Sequence, residues 1–340
     1  FISLRTLANE MHVSSYLVKN KVGWWIHSKK RLFSLLKKII SDKKYLGGYI
    51  SRIKKLDITY DTGQIADAII QKAYGIKRRR LQDKKVLLFD LAGTLCGIPI
   101  SKKNWHKINY RGIERALRSL EIDKYISKHK FKELCKGFVA KKSFLREKAK
   151  KSLKEFELQG QLASYLKKNL PKLKGLENAN LEKSSSFLVE LEERYISTEL
   201  EITSMFKHAK KILNGLSQHY DLYLICNNAS SLLVEKIITN YNIKACFKRV
   251  FTSADLGIRK PHPHFIGHVL KSINAKPQEC IIIGDRLDQD IRMANQAGIV
   301  SVHMAITDHE DNEYDDEEFD FQVRNLKQLQ GLLSKKNDKS

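Results

Sequence analysis

Residues 84–95, KKVLLFDLAGTL, join four consecutive apolar positions (Val86–Phe89) to an acid, Asp90, and then to Gly93 and Thr94. An apolar run this short, bounded by charge, suits a strand buried on both faces of a parallel sheet. Three further runs read alike: LYLIC (222–226), RVFTS (249–253) and CIIIGD (280–285), with VSVHM (300–304) as a fifth. Helix-period stretches such as FKHAKKILNGL (206–216) and SLLVEKIITNY (231–241) lie between them. Strand alternating with helix predicts an α/β fold, a doubly wound parallel sheet whose ligands sit at the carboxyl ends of the strands. Roughly 130 residues separate the first two runs, far more than one crossover of about a dozen residues needs. They are lysine-rich and amphipathic, so an inserted helical cap is expected over 99–204, with the core formed by 84–98 and 205–333 and a disordered tail at 334–340.

Asp90 stands where a strand ends and a tight turn begins. A carboxylate there can attack phosphorus to give an aspartyl-phosphate, and the backbone amides of a turn through Gly93 and Thr94 can cradle phosphoryl oxygens. An Asp closing a strand is by itself ordinarily structural. Its company changes that reading: FDLAGTL, LICNNAS, Lys260 in GIRKPHPHF, and IIIGDRLDQDI followed by ANQAGI occur in order, each at a strand end.

Over residues 84–306 these motifs resemble the haloacid dehalogenase superfamily, whose sheet is Rossmann-like. The resemblance implies Asp90 as nucleophile and Lys260 as the cation that neutralises it and the transferring phosphoryl group. It implies Mg2+ as cofactor, held by Asp90, the backbone carbonyl of Ala92, Asp285 and Asp290. Hard carboxylate oxygens around one ion suit Mg2+ better than zinc. Asp288 has no family role and is expected to be solvated. Two departures stand out. Phosphatases of the superfamily carry a second Asp two residues after the nucleophile, as acid and base, where this chain has Ala92. Its absence costs about 10²–10⁴-fold where such a group operates. At the second motif a Ser or Thr normally meets the phosphoryl group; here stands Cys226, a poor donor, with Asn227 beside it as the substitute phosphate-binding residue. An Ala at position 92 is also found in the phosphonoacetaldehyde hydrolase branch, which uses a cap lysine; Lys128, Lys130, Lys132 and Lys136 are too many to choose from. Three readings follow: a slow Mg2+-dependent phosphatase acting on a small phosphate ester, a phosphonatase-like hydrolase, or a non-catalytic binding protein with a degenerate domain.

The chain has 340 residues and a formal charge of +24. About +13 falls in residues 1–80 and about +11 in 81–150, leaving the remainder near neutral. Such a field draws polyanions to the N-terminal half, so nucleic acid is a candidate partner. The acidic run 308–320 reads as a solvated loop. Residues 1–80 are expected to form a small all-α module ending in Lys77–Arg80. LANEMHVSSYLVKNKV (7–22) fits a helix–turn–helix template through Ala8, Val13-Ser14, Val18 and Val22. MHVSSYLVKNKV with ISRIKKLDITYDTGQIADAIIQKAYG (50–75) is similar to the last helical domain of the bacterial DNA polymerase III delta subunit, implying a clamp-loader-type partner. The adjacent Trp24 and Trp25 are expected in the core of this module. The five cysteines lack metal or disulfide spacing, and no apolar run approaches the roughly 20 residues that span a bilayer. Both observations lead us to expect a cytoplasmic protein.

Overall fold

The computed structural model describes residues 84–97, 102–169, 185–306 and 317–334, together with Leu81 and, within the first 80 residues, Ile2–Ser3 and Trp24–Trp25. The chain divides into two compact units, Phe1–Arg80 and Leu81–Ser340. In the first, Ile2–Ser3 and Trp24–Trp25 pair as parallel strands, so the tandem tryptophans occupy extended backbone. The predicted helices of this unit, with the helix–turn–helix and delta-like cues, lie outside the described residues.

The second unit begins with β1 (Val86–Phe89) and β2 (Cys96–Gly97). Five helices follow: α1 (Lys102–Ser119), α2 (Ile122–Tyr125), α3 (Lys128–Ser152), α4 (Leu158–Asn169) and α5 (Ser185–Ile202). The chain returns through β3 (Ser204–Met205), α6 (Ala209–Leu216), β4 (Asp221–Cys226), α7 (Ser231–Asn240), β5 (Arg249–Thr252), α8 (Ser253–Leu256) and α9 (Pro263–Ile273). It ends with β6 (Cys280–Gly284), α10 (Arg292–Ala297), β7 (Val300–Met304), β8 (Phe321–Val323) and α11 (Leu326–Ser334).

Six strands form one parallel sheet in the order β8-β7-β6-β1-β4-β5. β1 is central: Phe89 lies beside Leu224 on one side and Ile283 on the other. Side chains alternate across a strand. Leu87 and Phe89 accordingly enter a core shared with α6, α7, α11 and the cap, while Val86 and Leu88 enter a second core against α9 and α10. Leu87, Leu88 and Phe89 are fully buried, and each such side chain contributes about 1.5–3 kcal/mol. The strand carrying Asp90 is therefore fixed from both faces. From β1 the chain steps to β4 and β5 on one side, then crosses to β6 on the other. Asp90 stands at that change of direction, the usual ligand crevice of an open α/β sheet.

The five cap helices leave the core between β2 and β3, which pair antiparallel through Cys96 with Met205 and Gly97 with Ser204. Gly112 lets α1 lie close against α5: a Cβ there would sit 2.7 Å from the carbonyl oxygen of Tyr195. Phe138 of α3 packs edge-on against Tyr165 and Tyr195, with ring centroids 5.3 and 5.6 Å apart. The α3–α4 link is fastened to the core. The N–H of Glu155 donates to Gly257 O, that of Arg259 to Leu153 O, and that of Leu158 to Ala229 O, while Arg259 forms an ion pair with Glu155. The cap is thus tied to the loops after β4 and before α9.

The sixth strand, β8, escaped the sequence reading, as did the β2–β3 pairing. The acidic run is described only from Glu317 onward; there Glu318 and Phe319 are exposed, while the N–H and hydroxyl of Ser301 donate to Asp320 and Asn295 donates to Glu317. The five cysteines are free and buried. No helix among the described residues is long and apolar enough to cross a membrane.

Candidate active site

Three strand ends supply the site. β1 delivers Asp90, the loop after β4 delivers Asn227, and the turn after β6 delivers Asp285 and Asp290. Lys260 comes from the loop before α9. Carboxylate oxygens of Asp90, Asp285 and Asp290 all lie within 4.8 Å of one another, and all three residues are buried.

Lys260 organises this cluster. Its ammonium donates to Asp90 Oδ1 (2.6 Å), Asp290 Oδ1 (2.7 Å) and the carbonyl of Ile225 (2.9 Å). An ammonium has three N–H groups, and here each has an acceptor. Burial works against the charge, but Asp290 and Asp90 outweigh it and hold the lysine pKa above its ordinary value. Burial raises the pKa of Asp90, opposed by Lys260 and reinforced by Asp285. Burial likewise raises Asp290, to about 6, against Lys260 and with Asp90 adding to the rise. Lys260 therefore bonds two of the three crowded carboxylates.

The turn sequences make that crowding feasible. Gly93 adopts φ +88°, and a Cβ on it would lie 1.9 Å from Asp285 Oδ2. A Cβ on Gly284 would lie 2.3 Å from Asp290 Cγ. Between Asp285 and Asp290 the chain makes one π-helical turn, Leu287–Ile291. This wider turn aims Asp290 back toward Lys260 and the N–H of Arg286 (3.2 Å), a device often found at functional sites.

Several residues serve differently from their expected roles. The N–H of Gly93 donates to Cys96 O and that of Thr94 to Leu91 O, so both amides are engaged within the turn and not turned outward as a phosphate cradle. The Thr94 hydroxyl donates to Asp285 Oδ1 at 3.3 Å. Asn227 was expected as a phosphoryl donor, yet its amide donates to Lys260 O (3.0 Å) and Gln289 Oε1 (2.8 Å) and accepts from the Lys260 N–H (2.8 Å). Its two N–H groups are thereby occupied, and it clamps Lys260. Cys226 ends β4 in a buried position; burial, with Asp90 adding to it, pushes its thiol far above the ordinary range. Asp288 is paired through both oxygens with Arg286 at 2.8 Å, which corrects the expectation of a solvated acid. Ala92 is exposed beside these groups. The sequence reading missed Asn227 as a clamp, Gln289 as its partner and His303, whose Nε2 lies 3.1 Å from the carbonyl of Asp285. A polar residue at a strand end carries no local signal of which neighbour it will hold.

The donor set fits a magnesium ion. All three side chains offer hard oxygens, gathered within 4.8 Å of one another. A surface cavity of about 580 Å³, lined by Met205, Phe206, His208, Lys210 and Tyr241 among others, includes none of the carboxylates. The chemistry follows the buried cluster and not that cavity.

Comparison with known proteins agrees in part with this geometry. The family of haloacid dehalogenase-like hydrolases matches residues 84–298. A glyceraldehyde 3-phosphate phosphatase of Methanopyrus kandleri is 36% identical over 97 residues, which are 28% of this chain and 41% of that protein. Its namesake from Methanocaldococcus jannaschii is 30% identical over 140 residues, 41% of this chain and 60% of the relative. The chain thus spans about half the length of these relatives. Among solved structures, a 2-haloacid dehalogenase from Pseudomonas syringae is 19% identical with a TM-score of 0.49, covering 74% of this chain and 99% of that one. The resemblance of residues 1–80 to the delta subunit gains no support from these comparisons.

Proposed function

This chain belongs to the haloacid dehalogenase-like hydrolases, and from that premise we propose that it hydrolyses a small phosphate ester, with Asp90 as nucleophile and Mg2+ held by Asp90, Asp285 and Asp290. The observation that carries the reading is Lys260, buried and bonded at once to Asp90 and Asp290. A lysine so placed keeps the nucleophile ionised in a site that would otherwise protonate it.

An oxygen of Asp90 attacks phosphorus. The bond from phosphorus to the leaving oxygen breaks, and that oxygen takes a proton. Water then attacks the aspartyl-phosphate and releases phosphate, regenerating Asp90. Lys260 offsets charge on Asp90 through both steps and, clamped by Asn227, stays in register with it. A magnesium ion, when bound, offsets charge on the phosphoryl oxygens; Ala92 would add its backbone carbonyl to the three carboxylates. Ala92 has no proton to give, so the leaving oxygen must take its proton from water, and turnover is slow by about 10²–10⁴-fold relative to a site with a placed acid. Small phosphorylated compounds such as a three-carbon phosphate are the substrate class that the relatives' names suggest. The non-catalytic alternative is not favoured, because nucleophile, counter-ion and metal donors are all kept together. Phosphate release from a panel of such esters, with and without Mg2+, tests the reading. We expect Mg2+-dependent turnover that Asp90→Asn abolishes; equal turnover by this variant and the parent removes Asp90 from the mechanism.

A further inference from the structure

Several cap cations have no carboxylate at ion-pair distance among the described residues, Lys142 and Arg146 among them. Lys142 and Arg146 lie one turn apart on α3, and residues spaced by four share a helix face. The Lys142 ammonium sits over the Tyr195 ring, 4.5 Å from its centroid, and the Arg146 guanidinium over Trp105 at 4.9 Å. Lys142 is half-buried and Arg146 remains reachable by solvent. The four lysines singled out earlier on the same helix, Lys128, Lys130, Lys132 and Lys136, are all exposed.

The helix that carries them ends beside the catalytic loop: the N–H of Arg259, next to Lys260, donates to Leu153 O at the end of α3. Arg146 feels the positive charges of Arg259 and Arg286, which directly adjoin Lys260 and Asp285 in sequence. Glu199 of α5 acts on both Lys142 and Arg146, and it acts also on Cys96, whose thiol senses Asp90 and Asp285. Of the other charges near this pair, Arg259 is matched by Glu155 and Arg286 by Asp288, and Glu192 accepts from Gln159. Lys142 and Arg146 are left with aromatic faces and with Glu199, whose pKa burial raises while both cations oppose the rise; Glu147, which also acts on Arg146, is paired with Lys150. Burial presses the Lys142 ammonium down to about 8, with Glu199 opposing and Arg146 adding to the fall. Lys142, half-buried, gains from an incoming anion, because a charged group withdrawn from water without a partner is costly, and Arg146, open to solvent one turn away, can meet the same anion.

We propose that Lys142 and Arg146 form a receptor for a second anionic group on the substrate, a carboxylate or a second phosphate, while the first phosphoryl group lies at Asp90. This rests on the phosphatase reading and narrows it to doubly anionic phosphate esters. Trp105 and Tyr195 keep the two cations in place, and the link through Glu155 and Arg259 keeps their helix over the core.

Calorimetric titration of the full chain carrying Asp90→Asn, with Mg2+ present, tests the receptor without turnover. The probes are phosphoglycolate, ethylene bisphosphate and hydroxyethyl phosphate, which differ in the end remote from the first phosphate. A charge-assisted contact predicts about tenfold or more tighter binding of an anionic probe than of hydroxyethyl phosphate. Lys142→Met and Arg146→Met should each remove about tenfold of that preference while leaving hydroxyethyl phosphate within about twofold. The tighter of the two anionic probes identifies the group. Lys142→Arg and Arg146→Lys, which keep the charge, should retain most of the preference and guard against a folding artefact in the Met variants. Equal affinity for all three probes overturns the proposal, as does parallel loss of every probe in the Met variants with near-ultraviolet dichroism unchanged. Discrimination in calorimetry without turnover of any ester by the parent would uphold the receptor and defeat the phosphatase reading instead.

Discussion

Replacing Gly93 by Ala should damage activity far more than stability. At φ +88° an L-residue is strained, at a cost of roughly 1–2 kcal/mol. The larger effect is steric. The new Cβ would fall 1.9 Å from Asp285 Oδ2 and 2.5 Å from its Cγ, so the carboxylate must retreat by about 1 Å or more to reach ordinary contact. Asp285 is tied through the Thr94 hydroxyl and lies beside Asp90 and Asp290, so its retreat spoils the geometry of the metal donors. Misplacement of about 1 Å commonly costs about 10²-fold in rate. Two assays separate the effects: urea unfolding for stability, and initial rates of phosphate release across a Mg2+ titration. We expect a modest drop in unfolding free energy, about 100-fold slower release and a raised Mg2+ requirement. A Gly93→Ala protein with parental rates and an unchanged Mg2+ midpoint would refute the claim that Asp285 must hold this position.

Three further outcomes follow from the same geometry. Ala92→Asp, at an exposed position beside the carboxylates, should raise turnover by at least about tenfold, since a placed acid contributes about 10²–10⁴-fold; a flat or lower rate means that the site does not use a group there. Asn227→Ala should lower stability by about 1–3 kcal/mol and slow turnover, because it leaves the backbone N–H and C=O of Lys260 without their partner; denaturation and rate measurements agreeing with the parent would show the clamp to be idle. The preference for a doubly anionic ester, measured as the ratio of kcat/KM values, should fall as pH rises through about 8, where the free protein loses the Lys142 charge. The sign is that of a base whose folded pKa lies below its unfolded one, so the neutral form gains ground early. Lys142→Arg should keep the ratio constant over that range, and a falling ratio in this variant assigns the titration elsewhere.

The parts of the fold that sequence conveyed are those with dense local signals. Val86–Phe89 are four adjacent apolar residues because β1 is buried on both faces, and Gly93 marks a turn that only glycine enters without strain. The resemblance of IIIGDRLDQDI to its family motif singled out Asp285 and Asp290, though not the π turn that brings the second one back. β8 and the β2–β3 pair are too short, at three and two residues, for alternation to register. Asn227 could not be assigned in advance, because an amide at a strand end reads alike whether it holds a ligand or a neighbouring backbone. Lys142 was hidden for a different reason. α3 contains lysines on most of its surface, and the position of Lys142 over the Tyr195 ring of α5, some fifty residues later in the chain, is not written in the local sequence.

The central claim is that Asp90 carries the phosphoryl group during turnover. Acid quenching of the protein during hydrolysis of a radiolabelled ester, followed by peptide mapping, tests it most directly. The account predicts acid-stable, hydroxylamine-sensitive label on the peptide that contains Asp90, formed only with Mg2+ and lost in Asp90→Asn. Steady turnover with label on another peptide, or unchanged labelling in Asp90→Asn, would contradict it.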